Sequence, residues 1–196
     1  MMKVTIRLTP LLETTCAVAQ FPDVERATRA VRAILNTAVA SNIQCIELCD
    51  DAFMRATNAY GSSERKYPEV DSLFFKFQGS KETFGETARL VRETALAFGA
   101  TGFTMAESEE ESKSLWADRK NGLFSTQALR PGAKVWTTDV CGESIWLDAS
   151  CEDQGLKDSV PVSKLPQLVY ETKKVSPQDA CHYSGFSSTI RLFRIL

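Results

Sequence analysis

The sequence predicts one domain that layers helices on a β-sheet, and three observations lead there. Strand-length runs rich in β-branched and aromatic residues alternate with helical stretches from residue 14 to residue 141. The chain has 196 residues, of which 43% are hydrophobic and 24% charged, enough for one substantial core. No glycine-rich phosphate loop follows any strand, and no acidic residue is placed for a ribose, so a nucleotide cradle is absent. The alternation fits a doubly wound parallel sheet and an α+β sheet with helices on one face equally well.

Residues 1–9 alternate with period two through Lys3-Val4-Thr5-Ile6-Arg7-Leu8 and read as the middle of a strand. They carry neither the apolar core of a signal peptide nor the Arg/Ser-rich pattern of an organelle import signal. The domain is therefore expected to be cut at its N-terminus, with any targeting signal upstream. Strands are predicted over 15–21, 43–48, 72–78, 102–106 and 134–140. Pro22-Asp23 opens a helix whose apolar face is Val24, Ala27, Val31, Ile34 and Leu35. A second helix covers 50–60 and stops at Gly61, followed by a polar loop over 61–69 that should lie at the surface. A third, with Phe84, Ala88, Val91, Ala95 and Phe98 in line, ends at Gly99. A fourth covers 109–129, with Leu115, Leu123 and Phe124 on its apolar face. The character changes after Cys141: 142–159 is polar, acidic and without period, 160–174 recovers a short strand-to-helix signal, and 175–196 is irregular.

Several chemistries are excluded. A net charge of −2 with no basic patch gives no reason to expect nucleic acid. The apolar runs are strand-length, far short of a membrane span. Cys16, Cys45, Cys49, Cys141, Cys151 and Cys181 form no CxxC pair, and the chain has one histidine. This argues against zinc and against a disulfide scaffold, and leaves reduced thiols that pack as small hydrophobes. His182 lies in the irregular tail, so neither Ser-His-Asp nor Cys-His catalysis is expected. Glu107, Glu109, Glu110 and Glu111 stand at a helix start, where negative charge complements the helix dipole. No residue is nominated as catalytic and none as a metal ligand.

Arg119 is the one residue whose position asks for chemistry. It lies four residues after Leu115 and four before Leu123, on their face of the helix. An inward arginine must be paired or used, because an unpaired buried charge is costly. Its guanidinium suits a substrate carboxylate, held by two parallel hydrogen bonds. A salt bridge to a neighbouring Asp or Glu, or a snorkelling side chain, explains the position as well.

Seven segments, in order, are IRLTPLLETT, QFPDVERATRAV, IQCIELCDDAFMRATNAY, LFFKFQGS, ESKSLWADRK, ALRPGAKVWTTDVC and VPVSKLPQLVYETKK. Together they resemble the C-terminal domain of FAD-linked oxidases of the D-lactate dehydrogenase and glycolate oxidase type, over about three quarters of the chain. The resemblance implies a ferredoxin-like α+β cap over 1–141, continued by 160–174, covering a flavin held mainly by an upstream domain. It implies oxidation of a small D-2-hydroxyacid to a 2-oxoacid, with electrons passing to FAD and on to cytochrome c. D-lactate is the first substrate reading; glycolate, 2-hydroxyglutarate and an ether-lipid precursor are the siblings. A non-catalytic ferredoxin-like module that binds a partner is the reading from another class.

By the same resemblance Arg119 binds the substrate carboxylate and Trp116 packs beside it. Thr137 and Thr138 approach the substrate, and Asp139 approaches the cofactor or serves as a structural hydrogen-bond acceptor. The family's divalent metal is held by a His-rich segment that this sequence lacks, as it lacks glycine-rich FAD loops. The chain alone is therefore expected to be inactive. Its relatives are mitochondrial in eukaryotes, and a sheet edge left open by the absent half favours self-association.

In the family, Thr-Asp-Val-Cys runs directly into Val-Pro-Val-Ser, whereas here 142–159 separates them. Codons for Gly142-Glu143-Ser144 and for Val175-Ser176 can both spell an intron donor. If 142–159 and the tail are translated intron, transcript sequencing will return a message joining Cys141 to Val160. Abundant unspliced message with peptides from 142–159 would overturn that reading.

Overall fold

The computed structural model describes residues 5, 11–61, 63–129, 131–132, 166–167 and 189–192. The elements, in order, are β1 (Glu13–Gln20), α1 (Val24–Leu35), a 3-10 turn (Ala38–Asn42), β2 (Ile43–Cys49), α2 (Asp51–Tyr60) and β3 (Ser72–Gly79). They continue with α3 (Lys81–Ala97), β4 (Gly102–Met105), α4 (Glu109–Lys120), α5 (Gly122–Ala128) and β5 (Thr189–Leu192).

The sheet order is β4-β1-β3-β2-β5, with every neighbouring pair antiparallel. β1 and β2 run the same way but are separated by β3, and β3 and β4 by β1. This is the split β-α-β arrangement of a ferredoxin-like α+β fold, as the resemblance implies. The doubly wound parallel sheet, which the alternation alone also allowed, is not formed. A helical crossover fixes the direction of the next strand without making it a neighbour.

The helix ends follow their sequence signals. Asp23 caps α1 by accepting from the Arg26 N–H at 2.7 Å. Asp50 does the same for α2 from Phe53 at 2.8 Å. Ser80 and Thr83 form a capping box at the start of α3, and Gly99, at φ +89, takes the left-handed conformation just past its end.

The alternation along the strands divides the interior into two layers. On one face Ala17, Ala19, Ile46, Leu48, Leu73, Phe75 and Phe77 meet the apolar stripes of α1 and α3. The Phe75 and Phe77 rings stack there at 6.0 Å. The other face presents Cys16, Val18, Cys49 and Phe74, and it is covered by Phe53 and Met54 of α2, Tyr67 of the following loop and Leu115 of α4. Helices thus cover one face as expected and part of the second as well.

Two expectations change. The helix predicted over 109–129 is broken at Asn121, which ends α4 and precedes α5. Leu115 is fully buried, but Leu123 and Phe124 are 44% and 67% exposed. The break shifts the helical phase, so that Gly122 and Ser125 turn inward instead. Within the tail, Thr189–Leu192 pairs with β2 from Ile46 to Cys49, a strand that no sequence signal announced. Among the described residues the sheet is open, ending on β4 and β5.

Gly122 rests directly against the Phe53 ring, in space that a β-carbon would need. Alanine normally gains about 1 kcal/mol over glycine inside a helix. Here the ring reverses the sign: Gly122→Ala should lower stability by about 1–3 kcal/mol in urea unfolding.

Candidate functional site

β2 reads Ile-Glu-Leu at 46–48, which sends Ile46 and Leu48 into the α1/α3 layer and Glu47 to the opposite face. Glu47 is fully buried there, beside Phe74 of β3, whose other neighbour is Val18 of β1. A solitary carboxylate in that position would be costly. α4 crosses over the same face and brings Arg119, whose Nε forms an ion pair with Glu47. The Cys45 thiol donates to Glu47 Oε1 at 3.1 Å. The Arg119 side chain keeps 17% of its exposure, so the residue stands at the margin of the buried face. Of the roles open to Arg119 in the sequence, a salt bridge to a neighbouring acid is thus realised.

Asp118, the preceding residue, is buried about 100° around the same helical turn. Its Oδ2 accepts from Ser63 Oγ and from the Tyr67 hydroxyl, both at 2.8 Å, and Arg65 Nε lies 3.8 Å away. Burial, and then the Asp118 carboxylate, push the Tyr67 hydroxyl well above the usual tyrosine range, so it stays protonated and donates. Asn58 clamps the Tyr67 backbone from both sides, its Nδ2 donating to the carbonyl and its Oδ1 accepting from the N–H, each at 2.8 Å. The polar 61–69 loop, expected to be only surface, is thereby tied to α4. Tyr67 itself is buried.

Around this centre, Lys76 sits over the Trp116 ring at 5.4 Å, and Trp116 packs on the α4-side layer, as its packing role implies. Burial raises the Cys16 thiol, partly offset by Ser112 and Lys76. Cys16, Cys45 and Cys49 form no disulfide with one another. Ser108 caps α4 by accepting from the Glu111 N–H, Glu109 pairs with Lys113, and Glu111 accepts from the Glu107 N–H. The acidic run therefore works as a helix start, as the sequence suggests.

Thr137, Thr138 and Asp139, together with the strand expected over 134–140, lie outside the described residues. The irregular segment 142–159 does too, as does 160–174 apart from residues 166–167. Glu47, Tyr67 and Asp118 were not nominated from sequence. A charged residue between two core residues of a strand was the available signal for Glu47.

The described residues contain no cluster of three or more His, Cys, Asp or Glu able to hold a metal. Two surface hollows, one beside Leu11–Glu13 and one between α3 and β4, are lined by residues other than Arg119. No helix among them is long and apolar enough to cross a membrane.

A split β-α-β sheet with an arginine mounted over its second face defines the class: an α+β domain of the ferredoxin-like kind. The chain belongs to the family described as FAD linked oxidases, C-terminal domain, whose model matches residues 12–145. It is 33% identical over 172 residues to "Probable D-lactate dehydrogenase, mitochondrial" of Danio rerio, covering 87% of this chain and 30% of that protein. It is 28% identical over 173 residues to "D-lactate dehydrogenase (cytochrome), mitochondrial" of Arabidopsis thaliana, covering 88% and 27%. A protein of the same name in Kluyveromyces lactis is 30% identical over 166 residues, covering 82% and 25%. The chain thus spans less than a third of the length of these relatives.

Removing one partner of the buried pair leaves an uncompensated charge. Glu47→Leu or Arg119→Met alone should cost about 3–5 kcal/mol in urea unfolding, and the double variant should recover most of that loss. Tyr67 generates a pH signature. Its folded hydroxyl ionises above the unfolded value of 10.0. Its contribution is therefore complete below that value and is lost as the pH rises beyond it. Tyr67→Phe should flatten the alkaline fall in melting temperature and cost about 1.5–3 kcal/mol at neutral pH.

Proposed function

We propose that this chain is the substrate-side cap of an FAD-dependent D-2-hydroxyacid dehydrogenase acting on D-lactate, with Arg119 as the anchor for the substrate carboxylate. The observation that carries this is Arg119 itself: a partly exposed arginine held at a buried face, within the Leu-Trp-x-x-Arg signature of the family. A guanidinium has five N–H donors in a planar fork, more than one carboxylate uses. An ion pair made through Nε is therefore compatible with a second carboxylate at the outer side. Thr137 and Thr138 would add hydroxyl donors to the same substrate, with Asp139 towards the cofactor.

The chain's share of the reaction is to bind and orient: fixing the carboxylate fixes where the C2 hydrogen of the hydroxyacid points. The names of the relatives support D-lactate as substrate, a cytochrome as electron acceptor and the mitochondrion as location. Housing for FAD and for the family's divalent metal is assigned to the rest of such an enzyme, so the chain by itself is proposed to be catalytically silent.

The purified chain mixed with FAD and D-lactate should retain no flavin after desalting and show no bleaching of the flavin band. Substrate binding is tested by exchanging residues 12–128 into the Danio rerio relative. Arg119→Met in that chimera should lower kcat/KM for D-lactate by about 10²–10³-fold, with the flavin spectrum unchanged. An unchanged kcat/KM would remove Arg119 from substrate binding.

A further inference from the structure

Arg119 and Asp118 are consecutive residues, so their side chains leave α4 about 100° apart. Each is held by a different part of the molecule. Arg119 is tied inward to Glu47 on β2, and Asp118 is tied sideways to Ser63 and Tyr67 of the 61–69 loop. Leu115 already seats α4 on the sheet, and two tethers in different directions on one turn restrict the remaining rotation about the helix axis more than either does alone. Both tethers also trace to the same row of the sheet. The Tyr67 ring packs against Phe74 at 5.9 Å, and Phe74 is the register partner of Glu47. Asn58 holds the Tyr67 backbone, so the sideways tether is itself anchored to α2.

We propose that Glu47 directly, and Ser63 and Tyr67 through Asp118, form a two-point mount that sets the rotation of the last turn of α4 and thereby aims the Arg119 guanidinium. These are positioning residues, and their value to carboxylate recognition rests on the role of Arg119 proposed above. A planar fork recognises a carboxylate only when its plane is correctly turned. The mount thus controls an angle, whereas the charge is already present. Arg65, shared between Asp118 at 3.8 Å and Glu111 at 3.4 Å, closes the network on its outer side.

The test uses the full ¹⁵N-labelled chain and reads the Nε–Hε signal of Arg119, assigned by its loss in Arg119→Lys. In the unsubstituted chain the signal should be resolved and slow to exchange. Tyr67→Phe and Ser63→Ala never touch Arg119, yet each should move the signal and speed its exchange by about tenfold, while the amide spectrum of β1 and β3 holds. Glu47→Gln should remove the protection and Glu47→Asp should restore part of it. An Arg119 signal that keeps its position and exchange rate in both Tyr67→Phe and Ser63→Ala overturns the mount. If Tyr67→Phe fails to fold, Ser63→Ala decides alone by the same criterion. D-lactate titration separates the two proposals. A mount that responds as expected, with an Arg119 signal indifferent to D-lactate, supports the positioning geometry and refutes the carboxylate role.

Discussion

A carboxylate buried at zero exposure in the middle of a sheet is the constraint on which the second face of this molecule depends. Glu47 cannot stay charged among Phe74, Val18 and the α4-side layer without a cation, and the nearest side chain able to supply one is carried by α4. That requirement brings α4 over the sheet at a set height and fixes which of its residues faces inward. It also gives the face its chemical character. The α1/α3 layer is apolar apart from helix threonines such as Thr28 and Thr87, whereas the opposite layer carries an ion pair, a thiol donating into it and a cation over an indole ring.

The family signatures divide along these lines. In Ile-Glu-Leu-x-Asp-x-x-x-Met-Arg-Ala-x-Asn, Ile46 and Leu48 build one core layer and Met54 the other. Glu47 meets Arg119, Asp50 caps α2 and Asn58 clamps the loop. In Leu-Trp-x-x-Arg-Lys, Leu115 seats α4 on the sheet, and the residue between the signature positions, Asp118, receives the loop. Two stretches far apart in sequence are thus two halves of one contact. Much of what looks like a binding motif is scaffolding for a single guanidinium.

Loop 61–69 shows why polarity alone misleads. Its composition says surface, and most of it is there. Yet Tyr67 is buried, because its ring completes the α4-side layer and its hydroxyl finds a carboxylate at the inner end. An aromatic residue with a polar tip satisfies both demands at once.

The sequence by itself determined the elements and their core faces. Period-two and helical spacing are local properties, and β2, α1, α2 and α3 lie where those patterns and the capping residues Asp23, Asp50 and Gly99 put them. It also singled out Arg119, because an inward charge stands out against an apolar stripe. Only the tertiary structure decided which strands are neighbours, since a crossover helix allows a parallel partner or a skipped position and the pattern is the same for both. It alone broke the 109–129 helix at Asn121, beside the close approach of Gly122 to Phe53. And it alone joined Glu47 to Arg119 and Asp118 to Tyr67, because pairings across 72 and 51 residues leave no mark in local spacing.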